Sequence, residues 1–113
     1  MVIKRYGEVE ALPVTDAGAL KTIVRWVIAE EDGAKNFYMR IFEIEPEGCT
    51  PLHHHAWEHE IFVFQGKGTL IQQGREVPVC SGNVVFIPPH EEHQFKNSST
   101  ETLKFVCLVP SQK

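Results

Sequence analysis

"EIFVFQGKGTLIQQGREVPVCSGNVVFIPP", residues 60–89, is the stretch whose rhythm decides the fold. Four short apolar runs, EIFVFQ (60–65), GTLIQQ (68–73), EVPVC (76–80) and NVVFI (83–87), follow one another with polar residues interleaved. A period of two sends successive side chains to opposite faces of a pleated strand, so each run reads as a strand with one buried face. Gly66-Lys67-Gly68, Gly74-Arg75, Ser81-Gly82-Asn83 and Pro88-Pro89 supply the turn residues between and after them.

The rhythm continues outward in both directions. KTIVRWVIAE (21–30) and NFYMRIFEIE (36–45) precede the stretch, and HQFKN (93–97) and TLKFVCLV (102–109) follow it, with Asp32-Gly33 and Asn97-Ser98-Ser99 as further turns. Eight short strands at near-regular spacing predict an all-β sandwich or barrel, in which closure or double-sheet packing removes exposed edges. Only TDAGALKTI (15–23) has helical character, with Thr15 as a possible N-cap and Gly18 weakening it. The first twenty residues, containing Pro13, show no clear pattern, and there is no repeat, low-complexity segment or linker.

Length and composition narrow the function classes. A chain of 113 residues has the size of one domain, taken as 1–113. The 42% hydrophobic and 23% charged residues are those of a folded globular protein. A net charge of -4 with scattered basic residues argues against a nucleic-acid partner, which requires a basic stripe. No run approaches signal-peptide character or the roughly 20 apolar residues needed to span a bilayer, so the expectation is a cytoplasmic protein without membrane contact. Cys49, Cys80 and Cys107 have no CxxC spacing, which argues against a disulfide framework or zinc knuckle.

All six histidines fall in two stretches, four of them in PLHHHAWEHE (51–60) and two in PHEEH (89–93). On an extended chain His53 and His55 share a face about 7 Å apart, near enough to converge on one ion, while His54 points away. His59 has the same parity, and His93 opens a later strand. Surface histidines, or core histidines each satisfied by one hydrogen bond, are the plainer reading of any one of them. For four together a metal site is the better account, and His53, His55, His59 and His93 are expected to bind one divalent transition ion per chain. His54 and His90 are expected to be non-ligands.

These residues carry a resemblance to the cupin superfamily. The first cupin motif is Gly, five residues, His-x-His, three or four residues, Glu, six residues, Gly. Gly48, His53, His55, His59 and Gly66 follow it with one residue fewer before the first histidine. The second motif appears as GNVVFIPPHEEHQFKN (82–97), where Gly82, Pro88, His93 and Asn97 match and His90 replaces the inner glycine. The two motifs span 48–97, and the resemblance implies a single cupin-type β-barrel, a double-stranded β-helix of jelly-roll form. His59 stands where the motif has glutamate and Glu60 follows it. The chain therefore looks most like small cupins with a four-histidine manganese site, which dimerise.

Four neutral imidazoles leave a divalent ion its full charge and make it attractive to an oxyanion. Six-coordinate manganese or iron would keep two positions for small molecules, whereas tetrahedral zinc with four histidines would be closed. Manganese is preferred, with iron, nickel, copper or zinc compatible with the same ligands. Alternation turns Leu103, Phe105, Cys107 and Val109 inward, and Ile61 and Phe95 share the faces of His59 and His93. Ile61, Phe95, Phe105, Cys107 and Trp57 are thus expected to contact a small-molecule substrate. Arg40, between Tyr38 and Phe42, is read as solvent-exposed or paired with a glutamate, a substrate-carboxylate role being the less favoured alternative.

The leading functional expectation is an oxidative, oxygenase- or oxidase-type metalloenzyme acting on a small organic anion. A metal-dependent isomerase or cyclase, or a non-catalytic small-ligand-binding barrel, are the alternatives. No Ser/His/Asp set, phosphate loop or dinucleotide fingerprint is present. In 36–45 both strand faces carry large apolar groups, Phe37, Met39 and Ile41 opposing Tyr38, Phe42 and Ile44. A small barrel has one interior, so a homodimer through this strand and the N-terminal segment is expected.

Overall fold

The computed structural model describes residues 1–111; Gln112 and Lys113, the end of the expected domain, lie outside the described residues. The fold is all-β. Its strands are β1 (Leu12–Pro13), β2 (Leu20–Ile28), β3 (Phe37–Cys49), β4 (His59–Gln65), β5 (Lys67–Gln72), β6 (Arg75–Cys80), β7 (Val84–Ile87), β8 (His93–Lys96) and β9 (Leu103–Pro110). Single 3-10 turns at Tyr6–Glu8 and Glu30–Asp32 are the helical elements among the described residues.

Each of the eight expected strands is present, and β3 runs on from Glu45 to Cys49. The helical character expected over 15–23 is absent. Asp16 instead begins a turn closed by the Ala19 N–H to Asp16 O bond of 3.0 Å. Gly18 takes a φ of 92°, a left-handed conformation that suits glycine. The β-branched Thr22, Ile23 and Val24 then pair with β3 rather than coil. β1, which the sequence did not announce, pairs Leu12 with Val24 and Pro13 with Ile23 at the sheet margin, where a residue lacking an N–H is tolerated.

Every strand pairing is antiparallel, and the sheet curls in the order β6-β5-β8-β3-β9-β4-β7, with β2 also on β3 and β1 on β2. β3 makes the curl. Its first part lies between β2 and β9, while its last residue, Cys49, pairs with Lys96 of β8. The bend falls at Glu47, with a φ of 71°, and at Gly48. A Cβ on Gly48 would come within 2.7 Å of Leu20 O, so a larger residue cannot sit there without displacing backbone. Asn97 pins the same corner: its Nδ2 donates to Ile44 O (2.8 Å) and Glu101 O (2.7 Å) while Oδ1 accepts from Ser99.

The inward parity of β9 is as read: Leu103, Phe105, Cys107 and Val109 are all buried, alongside Ile44, Ile61, Val63 and Phe95. Phe105 stacks on Phe95 at 4.4 Å and on Phe42 at 5.3 Å, and these rings floor the barrel. The opposite face of β3 is partly covered by the chain itself. Arg25 donates to Val9 O (2.6 Å) and Gly7 O (3.3 Å). Lys4 donates to Val27 O and pairs with Asp32, and the Tyr6 ring packs edge-on against Phe64. Ile41, one of the residues expected to need a second copy, is already buried, whereas Phe37 is exposed.

Candidate metal centre and its cavity

After Cys49 the chain leaves the sheet, and His53 rejoins it through a reciprocal bridge to His93, with N–H to O distances of 2.9 and 3.2 Å. From there to His59 the residues alternate: His53, His55 and Trp57 are half-buried, His54, Ala56 and Glu58 exposed, and His59 buried. Inward parity thus survives the bend at Ala56-Trp57. His59 begins β4 opposite Ile87, and His93 begins β8 opposite Gln72. His90, at the inner glycine position of the second motif, takes a φ of 69° and donates its N–H to His55 O at 2.5 Å. That turn ties the two histidine segments together, while the exposed His90 and His54 side chains stand outside the group.

The ligand atoms of His53, His55 and His93 lie within 4.8 Å of one another. His59 stands beside them, its ring 5.2 Å from that of His55 and 5.4 Å from that of His93. Burial pushes all four imidazoles toward the neutral form, helped by their mutual proximity and by the charge of Arg40; His53 is lowered to about 4 and His59 to about 3. A neutral imidazole has a free lone pair, which is what a metal requires. His93 Nδ1 lies 2.9 Å from Glu91 O; with its proton on that nitrogen it donates there and leaves Nε2 to coordinate. These residues fit a divalent transition ion. Their all-nitrogen character does not choose among manganese, iron, nickel, copper and zinc.

The histidines stand in the wall of an apolar cavity of about 400 Å³. Ile61, Phe95, Phe105, Cys107 and Trp57, the expected substrate contacts, all line it. Trp57 stacks flat on His55 at 4.7 Å with 4° between the ring planes, which fixes that imidazole's orientation. Cys107 Sγ lies 3.6 Å from His59 Nδ1, and its thiol is pushed up by burial.

Arg40 corrects its sequence reading. It is half-buried and in none of the ion pairs among the described residues, and it lines the cavity with Nη2 3.1 Å from Cys107 Sγ. Its guanidinium lies 5.3 Å from the Trp26 ring and 4.9 Å from the Phe42 ring. The parity signal was present, since Arg40 lies between Tyr38 and Phe42 on the inward face. Trp26, on the neighbouring β2, was also missed, as was Asp16, which lines the mouth from the exposed turn before β2. No spacing rule points to a loop carboxylate.

A curled antiparallel barrel with a histidine group opening on an interior cavity defines a class of metal-capable small-molecule site. The cupin domain family matches residues 40–109, and the chain belongs to it. The polyketide cyclase RemF from Streptomyces resistomycificus superposes with a TM-score of 0.94 at 38% identity, covering 99% of this chain and 80% of that one. A 1-methylthio-D-xylulose 5-phosphate methylsulfurylase from Rhodospirillum rubrum is 26% identical over 111 residues, 96% of this chain and 70% of that protein. An oxalate-binding protein from Thermotoga maritima is 29% identical over 68 residues, 59% of this chain and 56% of that protein. No helix among the described residues is long and apolar enough to cross a membrane.

Proposed function

We propose that this cupin is a metal-dependent cyclase of a small enolisable organic anion, with His53, His55, His59 and His93 as the ligands of one divalent ion. The observation that carries the reading is the placement of neutral histidines in the wall of an apolar cavity of about 400 Å³, large enough for a flat organic molecule. The likeness to a polyketide cyclase over nearly the whole chain supports cyclisation as the chemistry. The oxidative reading favoured by the sequence becomes the alternative, since no lining residue is specific to redox chemistry.

When bound, the ion would polarise carbonyl oxygens and stabilise an enolate. The protein's own part is positional. Phe42, Phe95 and Phe105, stacked on one another in the cavity lining, form a rigid apolar wall against which a carbon chain would fold and from which water is excluded. Asp16, at the mouth, is the carboxylate placed to accept a proton from an acidic carbon. An intramolecular aldol condensation then balances as one carbon–carbon bond formed and one water lost, with no oxidant.

The test offers a linear β-polyketone acid to protein loaded separately with manganese, iron and zinc, with and without oxygen. A cyclised product lighter by one water, formed as well without oxygen as with it, is expected with manganese or iron, whose six-coordination leaves positions open beside four histidines. Turnover dependent on oxygen or peroxide would return the assignment to an oxidative enzyme. We also propose that the protein acts as a homodimer, paired through the outer apolar surface of β4 and β7.

A further inference from the structure

Arg40 carries a charge that the folded chain leaves unanswered. The contrast with Arg25 is direct: Arg25 Nε meets Glu43 Oε2 at 2.7 Å, whereas Arg40 takes part in none of the ion pairs among the described residues. Its contact with Cys107 Sγ, at 3.1 Å, uses a weak acceptor. Its Nε is buried with no hydrogen-bond partner among the described residues, and so is the Nε1 of Trp57 in the wall of the same cavity.

A buried donor without an acceptor is costly, and on the half-buried Arg40 the missing counter-charge adds to that cost. The remaining lining offers little relief. The four histidines are neutral, and the one carboxylate in the cavity lining, Asp16, sits on an exposed turn. An ion at the histidines would add positive charge to the same space. The cavity is therefore built for a ligand that brings its own negative oxygens.

We propose that Arg40 anchors a free carboxylate, so that the ligand of this cavity is a flat organic acid whose second acidic oxygen, enolic or phenolic, faces the histidines. The planar guanidinium offers paired donors that match a carboxylate and that an ester, amide or thioester cannot use as well. Trp26 and Phe42 hold the guanidinium from both rings, so little freedom is lost on binding. For the enolic oxygen this inference rests on the cyclase reading, to which it adds that the substrate enters as a free acid; the carboxylate anchor stands on Arg40 alone.

Calorimetric titration with 2-naphthoate and with 2-naphthamide, its uncharged counterpart of the same shape, tests it on the full-length protein as purified and after metal removal. The acid is expected to bind about tenfold or more tightly than the amide in both forms, the factor that one charge-assisted hydrogen bond supplies. Arg40→Gln should abolish the preference while leaving amide binding in place, with thermal unfolding confirming a folded variant. Equal affinity for acid and amide overturns the proposal. So does a preference that survives Arg40→Gln, or one that disappears on metal removal alone. If Arg40→Gln does not fold, Arg40→Lys decides: it keeps the charge but loses the paired donors, and undiminished affinity for the acid counts against the anchor. Cyclisation is measured separately, so a cyclase without the preference sinks the anchor alone, and a preference without cyclisation sinks the cyclase reading alone.

Discussion

His59 shows what the histidine group asks of its environment. It is buried beside His55, His93 and Cys107, and desolvation, with Arg40 and the neighbouring imidazoles adding to it, lowers its pKa to about 3 from the ordinary 6.5. His53 is lowered to about 4, and His55 and His93 move in the same direction. Between these values and 6.5 the unfolded chain binds protons that the folded chain refuses, so stability rises with pH there. The stabilisation is fully present above about pH 7 and is lost as pH falls through 6.5 toward 4. The melting temperature of chelator-treated protein, measured from pH 8 to pH 4, should hold level and then drop below pH 6.5; a level curve down to pH 4 would show that burial does not govern these groups. Metal binding should weaken over the same range, because protons and ion compete for the same nitrogens. Elemental analysis should find metal content reduced in His53→Ala, His55→Ala, His59→Ala and His93→Ala, and unchanged in His54→Ala, whose side chain is exposed. Full occupancy in His59→Ala would reduce the site to the three histidines that cluster within 4.8 Å.

Among the elements, alternation did most of the work that a sequence can do. It located eight strands because each is at least four residues long, whereas β1, at two residues, is too short to alternate at all. The same rule carried parity through the bend at Ala56-Trp57 and aimed His59 inward. It also aimed Arg40 inward, between Tyr38 and Phe42, but the usual preference of arginine for water hid a cavity residue. The helical reading of 15–23 failed on Gly18, where a left-handed φ of 92° makes a turn. Asp16 had no legible signal, since its place at the mouth depends on how β1 and β2 pair. Gly66 is legible as a motif glycine and explicable as backbone: it joins β4 to β5 with a φ of 83°, and a Cβ there would lie 2.5 Å from Thr102 O. Gly66→Ala therefore meets both an unfavourable conformation and a collision with main chain. A loss on the order of 2 kcal/mol or more is expected in urea unfolding, with an unchanged slope. A loss below about 0.5 kcal/mol would mean that the β4–β5 corner yields easily.

For the whole molecule, the outward surface of the sheet carries the proposed dimer. Strand register sets Ile41 beside Val106, Val106 beside Phe62 and Phe62 beside Val84, one outward row running from β3 to β7. The N-terminal segment crosses the β2 side of this surface, through Arg25 and Lys4, and reaches Phe64 and Lys104 with Tyr6. It leaves the far side open: Phe62 is 45% exposed, Val84 78% and Phe86 55%. β7 is also the last strand on that flank, with no further strand beside it among the described residues. Large apolar groups gathered on an edge strand favour aggregation unless something covers them, and a two-fold pairing of like faces covers both copies at once. The proposed dimer therefore differs in place from the one the sequence suggested, lying on β4 and β7 rather than on β3 and the N-terminus. Light scattering at micromolar concentration should return twice the 12.8 kDa chain mass. Phe86→Glu should shift the protein toward monomer without disturbing the histidines, because the side chain at Phe86 faces outward while His59 and Ile87 face in. Retained metal content in that variant, together with a melting temperature that no longer rises with protein concentration, would identify this face as the interface. A wild-type protein that scatters as a monomer would remove the dimer, and an undiminished dimer in Phe86→Glu would move the contact back toward Phe37 and β3.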